Sequence, residues 1–364
     1  MNQQIKYICA LCFGSLCAIV SADLLQLPDG FKLTVLTNKV PNARQMAESS
    51  SGILYVGSRE AGKVYAVIAA DDGSAPQVIV VDEGLTMPSG LALLNGDLYV
   101  GALNRILRYD DIDSNFHQNP KPSVITDRLP DKRHHGWKYL SVGPDRYLYV
   151  PVGAPCNICF SEDDERFASI LRMDPTNGTT TVFAHGVRNS VGMSWHPITK
   201  RLWFSDNGGD MLGDDLPPEE INQVNQSGDH FGYPFIHAGV MKDPRLGHEY
   251  NVSDFTSPEI KIQAHSAPLG LVFYDGNQFP DRFQNALFIA EHGSWNRSSK
   301  VGYQVSVGLA NQNTAIPFIS GWLQDEKVFG RPSDLIVSFD GSLLLADDLA
   351  GSIYKVSYSS KKDE

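Results

Sequence analysis

The feature that most constrains this chain is a short unit that recurs six times along it. Most copies begin with a turn of Gly, Asp or Asn, continue as an alternating apolar strand, and end with a polar loop and a second strand. A turn followed by period-two alternation is typical of a β-hairpin. The central strands of the six units begin at Leu54, Leu98, Leu148, Leu202, Leu287 and Leu343.

These intervals, from 44 residues (Leu54 to Leu98) to 85 residues (Leu202 to Leu287), predict blades arranged around an axis. We expect an all-β fold, a six-bladed β-propeller of four-stranded antiparallel blades. The segment Phe31–Thr37 has a strand pattern and the last unit is one strand short, so we expect the N-terminal strand to complete the last blade. A β-sandwich with chance similarity among its strands is the alternative.

Residues 1–22 have the composition of a cleaved secretory signal. They contain one positive charge at Lys6, an apolar run from Tyr7 to Ala18, and small residues up to Ala22. The apolar run is short for a membrane span, although an uncleaved anchor is the alternative. We expect a periplasmic or secreted protein in which residues 23–364 form a single propeller domain, without stable membrane insertion.

Three of the five cysteines lie in the signal, so the exported chain keeps only Cys156 and Cys159. In an exported protein this C-x-x-C pair predicts a disulfide that closes a loop. Phe160 in place of His after the second cysteine argues against covalent haem. A redox-active dithiol is the alternative, but the strand-to-helix context that it would need is missing.

The formal net charge of −12 at pH 7 restricts the partners of the chain. An acidic protein whose basic run is confined to Lys361 and Lys362 is not expected to bind nucleic acid or an anionic membrane.

Candidate reactive side chains lie on loops that precede the repeated strands. His135, in the turn before the third unit, could take a proton from a substrate hydroxyl. Its neighbour His134 could be the active histidine instead, and an exposed loop histidine without a catalytic role is the other alternative. Arg188 and Asn189 hold the same position before the fourth unit, and Arg331 holds it before the sixth. Equivalent loops open at one end of a propeller channel, so we expect these groups to converge. Guanidinium groups suit a multiply anionic ligand, although each arginine could instead form a surface ion pair.

Residues 205–224 combine a glycine turn with dense acidic side chains. The turn at Asn207, Gly208 and Gly209 leaves backbone carbonyls free, and carboxylates crowd around it. Oxygen ligands without His or Cys suit Ca²⁺. A solvated acidic loop is the alternative. The acidic residues are Asp206, Asp210, Asp214, Asp215, Glu219 and Glu220.

Together these stretches resemble the pyrroloquinoline quinone (PQQ)-dependent glucose/sorbosone dehydrogenase family of periplasmic six-bladed propellers. The resemblance runs from LPDGFKLTVLT at Leu27 to SIYKVSY at Ser352. Its most specific pieces are the His five residues before LSVGPD, VRNSVGMSW, SDNGG with the later EEINQV and HFGYP, AEHGSWNRS, and GRP.

The resemblance implies PQQ as the cofactor and a role for each loop residue. His135 matches the general base of the family. Arg188 and Asn189 match the pair that contacts the quinone oxygens, and Arg331 matches a ligand of a cofactor carboxylate. Four further side chains are candidate cofactor ligands, the last two as substitutes for a family lysine that has no clear match: His265, Trp295, Arg297 and Lys300.

The resemblance also implies Ca²⁺ and a reaction. The carbonyls of Gly208 and Gly209 match those that hold the ion beside the cofactor, and Glu220 matches a carboxylate of a second cation site. Ca²⁺ and Arg188 would polarise the quinone, His135 would take the anomeric hydroxyl proton, and the anomeric hydride would pass to the quinone. The substrate would be an aldose or a related hydroxy-aldehyde such as a sorbosone, and a quinone or cytochrome would accept the electrons.

The chain departs from the family pattern at two further positions. His134 stands where well-studied glucose enzymes have Asp, and Ser333 stands where a second arginine is expected after Arg331. Two other functions stay open because a propeller alone does not specify activity. One is a calcium-dependent lactonase or esterase in which His135 assists a metal-activated water. The other is a non-enzymatic propeller that binds a partner.

Overall fold

A computed structural model describes residues 24–70, 73–160, 163–309 and 312–359 of the chain. The predicted secretory signal, residues 1–22, lies outside the described residues. The six expected blades are present, each a four-stranded antiparallel sheet. The predicted six-bladed β-propeller is therefore confirmed.

The strands follow one another blade by blade. The chain begins with β1 (Phe31–Thr37). Blade 1 contains β2 (Ala43–Glu48), β3 (Ile53–Ser58), β4 (Lys63–Ile68) and β5 (Gln77–Glu83). Blade 2 contains β6 (Pro88–Leu94), β7 (Asp97–Ala102), β8 (Arg105–Tyr109) and β9 (Ser123–Thr126), with helix α1 (Ile112–Asn115) between the last two. Blade 3 contains β10 (Ser141–Val142), β11 (Leu148–Val152), β12 (Ser169–Met173) and β13 (Thr180–His185).

Blade 4 is interrupted by a small hairpin. It contains β14 (Met193–Trp195), β15 (Leu202–Asp206) and β16 (Glu219–Gln223), then the hairpin β17 (Ile236–His237) and β18 (Met241–Lys242), then its outer strand β19 (Ile260–Ile262). Blade 5 contains β20 (Pro268–Phe273), β21 (Leu287–Glu291), β22 (Gln304–Gly308) and β23 (Ile316–Ile319). A second hairpin, β24 (Leu323–Gln324) and β25 (Lys327–Val328), precedes blade 6 with β26 (Pro332–Val337), β27 (Leu343–Asp347) and β28 (Ser352–Tyr358).

The first strand of each blade lies nearest the axis. First strands of neighbouring blades contact one another, as β26 contacts β2 and β2 contacts β6. The loops that enter these strands therefore meet around the central channel, at the end where the second strands finish. This is the end at which a site built from several blades can form.

The core lies between the blades and follows from the alternation of the strands. In β3, Tyr55 packs toward blade 2, whereas Leu54 and Val56 pack toward blade 6. The same alternation in β7 sends Leu98 toward blade 1 and Tyr99 toward blade 3. Because successive side chains of a strand point to opposite faces, each sheet contributes to two interblade cores.

The N-terminal strand closes the ring, as the sequence predicts. Strand β1 is the outer strand of blade 6 and pairs antiparallel with β28, Phe31 opposite Tyr358 and Val35 opposite Tyr354. Among the described residues no helix is long and apolar enough to cross a membrane.

Candidate active site

Loops from blades 3, 4 and 5 enclose a cavity of about 230 Å³ at this end of the channel. Six of the residues predicted for the site line it: His135, Arg188, Asn189, Gly208, His265 and Trp295. The structure therefore brings the candidate base, the arginine–asparagine pair and the glycine turn to one place. The other lining residues are His134, Asn207, Asp210, Glu219 and Ala267.

A larger cavity of about 320 Å³ lies beside the disulfide loop, lined by residues that include Phe167, His185 and His230. It contains none of the predicted reactive side chains. The smaller, more polar cavity is therefore the candidate active site.

The His135 ring is held in one tautomer. Its Nδ1 lies 3.0 Å from the carbonyl oxygen of Ala154, which can only accept a hydrogen bond. Nδ1 therefore carries the proton, and Nε2 is an acceptor that receives no hydrogen bond from the described residues. Burial, and then the positive charge of Arg188, lower the pKa of His135 far below its usual value, so the ring is neutral. A neutral imidazole with a free Nε2 can act as a general base.

The close approach of residue 153 to His135 requires a glycine at that position. A Cβ at Gly153 would lie 2.4 Å from the Cβ of His135 and 2.7 Å from its carbonyl oxygen. His135 itself has a positive φ of 50°. A larger residue at position 153 would displace the turn that carries the base.

Arg188 is buried, and most of its N–H groups donate hydrogen bonds to other residues of the protein. Its Nε donates to the carbonyl of Asn157 at 2.9 Å, and its Nη1 donates to the carbonyl of Asn207 at 2.9 Å. Its Nη2 donates to the side-chain oxygens of Asn157 and Asp210, at 2.8 and 2.9 Å. A guanidinium has five N–H groups, so one N–H on Nη1 is left for a ligand. Arg188 is thus held rigidly with a single free donor.

Asp206 positions the backbone of this pair. Its two carboxylate oxygens accept from the backbone N–H groups of Arg188 and Asn189, at 2.7 and 2.6 Å. Burial raises the pKa of Asp206 to about 7. Blade 6 repeats the arrangement, since Asp347 accepts from the backbone N–H of Arg331 at 2.9 Å. An acidic residue at the end of the second strand fixes the loop before the first strand in both blades.

The glycine turn presents free carbonyls next to a buried carboxyl group. The N–H of Gly208 donates to Oε2 of Glu219 at 2.6 Å, and no hydrogen bond from the described residues reaches the carbonyls of Gly208 or Gly209. Burial raises the pKa of Glu219 to about 7. Unpaired carbonyls near a carboxyl group are a donor set that suits Ca²⁺.

Glu220 lies outside the cavity, behind Glu219. Its two oxygens accept from the backbone N–H of Ala238 at 2.8 Å and from Nδ2 of Asn222 at 3.0 Å. Within the described ranges no three His, Cys, Asp or Glu side chains are arranged to hold a metal ion. A second cation at Glu220 stays a prediction from the family resemblance.

Three of the predicted cofactor ligands have protein partners elsewhere. Arg297 donates to the carbonyl of Asp214 and pairs with Asp215, and Lys300 donates to the carbonyl of Glu326 at 2.6 Å. Arg331 donates through Nε and Nη2 to the carbonyls of residues 292 and 293. None of the three lines the cavity that contains His135. His265 lines it, but its Nε2 donates to the carbonyl of Gly213 at 2.7 Å, so one ring nitrogen is already engaged.

The disulfide supplies a residue that the sequence analysis missed. Cys156 and Cys159 are bonded to each other, as predicted. Between them, Asn157 makes two of the four hydrogen bonds to Arg188 and also accepts from the N–H of Asp210 at 2.9 Å. Asn157 lies inside a loop closed by a predicted disulfide and next to a predicted site, and this position is the sequence signal that could have identified it.

Comparisons with known proteins agree with this fold and identify the family. A model of the family described as glucose/sorbosone dehydrogenase matches residues 111–294, just over half of the chain. An uncharacterised protein of Borreliella burgdorferi is 32% identical over 98% of each chain. The aldose sugar dehydrogenase YliI of Escherichia coli is 30% identical over 49% of this chain and 48% of its own length.

Solved structures share the propeller at low sequence identity. The PQQ domain of pyranose dehydrogenase from Coprinopsis cinerea, in its holo form, has a TM-score of 0.78 and 17% identity, covering 92% of this chain and 97% of that domain. The PQQ-bound aldose sugar dehydrogenase of Streptomyces coelicolor has a TM-score of 0.64 and 19% identity, covering 92% of this chain and all of the other. With the family model matching residues 111–294, the chain belongs to the glucose/sorbosone dehydrogenase family.

Proposed function

We propose that this protein is a PQQ- and calcium-dependent dehydrogenase that oxidises an aldose or a related hydroxy-aldehyde. The observation that carries the proposal is the pairing, in one cavity, of a neutral His135 with a free Nε2 and an immobilised Arg188 with one free N–H. When bound, PQQ would supply a two-electron acceptor for hydride, and Ca²⁺ would supply a Lewis acid.

The residues present fit these two groups. The free N–H of Arg188 and the side chain of Asn189 face the cavity and could hold carbonyl oxygens of a quinone. The unpaired carbonyls of Gly208 and Gly209, next to Glu219, could hold Ca²⁺. Burial of Glu219 would then be offset by the charge of the cation, which favours the ionised carboxylate.

His135 has the role of general base. Its Nε2 would take the proton of the hydroxyl on the anomeric carbon while that carbon gives up its hydride, so that an aldose loses two electrons and two protons and leaves as its lactone. Arg188, held by four hydrogen bonds, does not have to reorganise as negative charge develops. A quinone or cytochrome as final electron acceptor, and export of the protein, are further parts of this proposal.

The test is reconstitution of the purified protein with PQQ and Ca²⁺, followed by a dye-linked assay with a panel of aldoses, alcohols and aldehydes. We expect sugar oxidation in the wild type, and a loss in His135→Ala of about 10² to 10⁴-fold, the usual contribution of a positioned base. His117→Ala, which removes an exposed histidine outside the cavity, is the control and should keep full activity.

Absence of turnover with every substrate after loading would refute the proposal. Hydrolysis of lactones without quinone, lost on chelation of the metal, would point instead to a calcium-dependent lactonase that uses the same cavity.

A further inference from the structure

The larger cavity beside the disulfide loop has no part in the chemistry described so far. It measures about 320 Å³, at the lower end of the range of about 300–1,000 Å³ that small-molecule sites occupy, which suits a ligand of one or two rings. The disulfide loop follows β11, the second strand of blade 3, so this cavity lies at the same end of the propeller as the candidate active site.

The disulfide loop separates the two cavities. Asn157, between the two cysteines, bonds to Arg188 and so faces the candidate active site. Cys159 and Phe160 line the larger cavity. The hydroxyl of Tyr233 accepts from the backbone N–H of Cys159 at 3.0 Å and donates to the carbonyl of Asn157 at 3.3 Å. One loop therefore contributes to the walls of both cavities.

Two imidazole rings lie side by side in the wall of the larger cavity. His185, at the end of β13, forms an isolated parallel bridge with His230. The N–H of His185 donates to the carbonyl of Asp229 at 2.8 Å, and its carbonyl accepts from the N–H of Phe231 at 2.9 Å. Residues paired across a bridge project their side chains to the same side. The two rings accordingly lie 6.2 Å apart between centroids, with 15° between their planes.

The two histidines leave hydrogen-bonding groups unused. Nδ1 of His230 accepts from the N–H of Gly232 at 3.0 Å, so Nε2 carries the hydrogen and is a donor. Burial, and then the charge of His185, lower the pKa of His230 to about 4, so its ring is neutral at pH 7. Neither this Nε2 nor the ring nitrogens of His185 have a hydrogen-bond partner among the described residues. In its neutral form His185 supplies one further donor and one acceptor.

Glu165 adds an acceptor on a braced segment of the chain. Arg166 donates through Nε and Nη2 to the two carboxylate oxygens of Asp164, at 2.8 and 2.6 Å, and through Nη1 to the carbonyl of Arg128 at 2.6 Å. These bonds hold the segment that brings Glu165 and Phe167 to the cavity. The described lining contains no Lys or Arg, so an anionic ligand would meet only the negative charge of Glu165.

Aromatic rings form much of the apolar wall. Phe167 is half-buried, and Tyr233 offers only its ring, because its hydroxyl already bonds to the disulfide loop. Phe160 is 56% exposed, yet its ring contacts that of Phe235 at 5.6 Å between centroids, and Phe235 stacks on Tyr250 at 3.9 Å. Phe160 is therefore an exposed ring held in place at the cavity, available to stack on a ligand.

This mixture of groups distinguishes between classes of ligand. The carbonyl oxygens of a quinone only accept, so they would leave the carboxylate of Glu165 without a donor. An organic ammonium ion only donates, so it would leave the Nε2–H of His230 without an acceptor. A sugar hydroxyl both donates and accepts, and the C–H faces of a pyranose ring can pack on aromatic side chains. The lining therefore matches a neutral sugar ring.

We propose that this cavity is a carbohydrate-binding site, separate from the candidate active site. One sugar ring stacks on Phe160 and Phe167. Its hydroxyl groups bond to His185, His230 and Glu165. The ring belongs either to an oligosaccharide whose reducing end lies in the candidate active site or to an independent sugar molecule. Only the link to oxidation rests on the function proposed above, whereas the binding site rests on the cavity and its unused groups.

The test is equilibrium binding to the purified protein without PQQ or Ca²⁺, measured by isothermal titration calorimetry with D-glucose, maltotriose and cellotriose as probes. We expect Phe160→Ala to raise the Kd of the sugar that binds by about fivefold or more, since the stacking ring is lost. Glu165→Ala, which removes an acceptor, should raise it about threefold or more. Phe160→Tyr keeps the ring and should keep the wild-type Kd. Phe339→Ala removes a ring that is 72% exposed elsewhere, and as the matched control it should leave Kd unchanged.

His135→Ala separates the two cavities, because it alters the candidate active site alone. Sugar binding that depends on Phe160 should persist in this variant. Circular dichroism and thermal melting check the folding of each variant, and if Phe160→Ala does not fold, the exposed Glu165 decides through Glu165→Ala. Equal sugar affinity in the wild type and in the folded cavity variants, or no sugar binding at all, would overturn the proposal.

Ubiquinone-0 and tetramethylammonium are the probes for the two other ligand classes. Binding of either one that weakens in Phe160→Ala and Glu165→Ala, in a protein that binds none of the three sugars, would overturn the assignment to carbohydrate.

Kinetics of the protein loaded with PQQ and Ca²⁺ distinguish the two sources of the sugar ring. If an oligosaccharide spans both cavities, Phe160→Ala should raise KM for the trisaccharide and leave KM for D-glucose unchanged. With an independent sugar, both KM values should stay at the wild-type level while the calorimetric Kd rises. If the loaded protein oxidises no sugar, the proposed function fails, and the calorimetry still decides whether the carbohydrate site exists.

Discussion

His135 combines a fixed tautomer with a lowered pKa, and this gives a pH prediction. Its base form is the neutral imidazole, and burial and Arg188 hold its pKa far below the ordinary value of about 6.5. Lowering the pKa of a base extends its active form to lower pH. We therefore expect kcat/KM of the loaded enzyme to stay level through pH 6.5 and to fall only at more acidic values. A pH–rate profile with a synthetic acceptor measures this.

The profile needs a stability control, because other buried histidines act in the same pH range. Burial lowers the pKa of His230 and of His292 to about 4. Between pH 4 and 6.5 the unfolded chain binds more protons at these two histidines, so their contribution to stability falls as the pH falls. The raised pKa values of Asp206 and Glu219 contribute in the opposite direction. Circular dichroism at each pH separates unfolding from titration of the base. An acid limb centred at or above pH 6.5 in folded enzyme would contradict the assignment of His135.

At the level of single residues, the sequence predicts the site residues whose positions follow from the repeat. His135, Arg188 and Asn189 come before equivalent strands, and one cavity contains all three. The contacts of a side chain cannot be predicted in this way, because they depend on which loops meet in three dimensions. Arg297 could reach either a cofactor or the acidic loop at Asp215, and sequence does not choose between them. Arg44 lies in a strand whose alternation predicts burial, but not that its Nε is left without a hydrogen bond from any described residue.

Among the elements, the disulfide loop has the most direct link to the candidate chemistry. Asn157 accepts from Arg188 through both its backbone and side-chain oxygens. We expect Asn157→Ala to lower kcat/KM by about tenfold, because loss of one hydrogen bond to a charged group costs roughly 1.5–3 kcal/mol in the bound geometry. Asn157→Asp keeps an acceptor for Nη2 and should recover part of the activity. Steady-state kinetics of loaded enzyme measure both variants.

The control for this positioning role is Asn115→Ala, which removes an amide that donates to the backbone carbonyls of Asp110 and Asp111, just before α1. It should change neither kcat/KM nor PQQ affinity. A purely structural role for Asn157 would lower the melting temperature in both Asn157 variants without a recovery of kcat/KM in the Asp variant. That outcome would remove the link between the loop and Arg188.

Strand prediction succeeded where turn residues and alternation coincide. Four of the six predicted central strands begin at the expected leucine, as β11 does at Leu148, and β3 and β7 begin one residue earlier. The short elements could not be found in this way. Strand β10 has two residues and the hairpin strands β17 and β18 have two each, too few for a period to show.

The whole ring is closed by β1, which pairs with the last strand of blade 6. Blade 6 carries Asp348 and blade 1 carries Arg44 and Arg59, so the ion pairs of Asp348 with these two arginines cross the boundary between the two blades. Strand β1 covers the outer edge of blade 6 by pairing with β28. An uncovered edge would leave a row of unpaired backbone groups on the outer side of blade 6.

Phe31 tests this closure. Its ring contacts those of Phe279, Phe283 and Phe318 edge-on, at 4.8, 5.4 and 5.0 Å between centroids, and so joins β1 to the core between blades 5 and 6. Truncation of a fully buried Phe to Ala costs about 3–5 kcal/mol, and Phe31 is only half-buried, so we expect Phe31→Ala to lower the free energy of unfolding by about 2–3 kcal/mol. Urea unfolding followed by circular dichroism measures the change.

Phe339→Ala is the matched control, because this ring is 72% exposed and its loss should change stability little. If closure makes the ring cooperative, Phe31→Ala should shift a single transition to lower urea without splitting it, and the loss of PQQ binding should follow the same curve. The contrary outcome is an early transition that releases β1, after which the rest of the protein unfolds as in the wild type. It would show that the other five blades and the site are stable without β1. In that case the boundary between blades 1 and 6 would be held by its own interblade core, Met46 and Val56 against Leu344 and Ile353, rather than by the N-terminal strand.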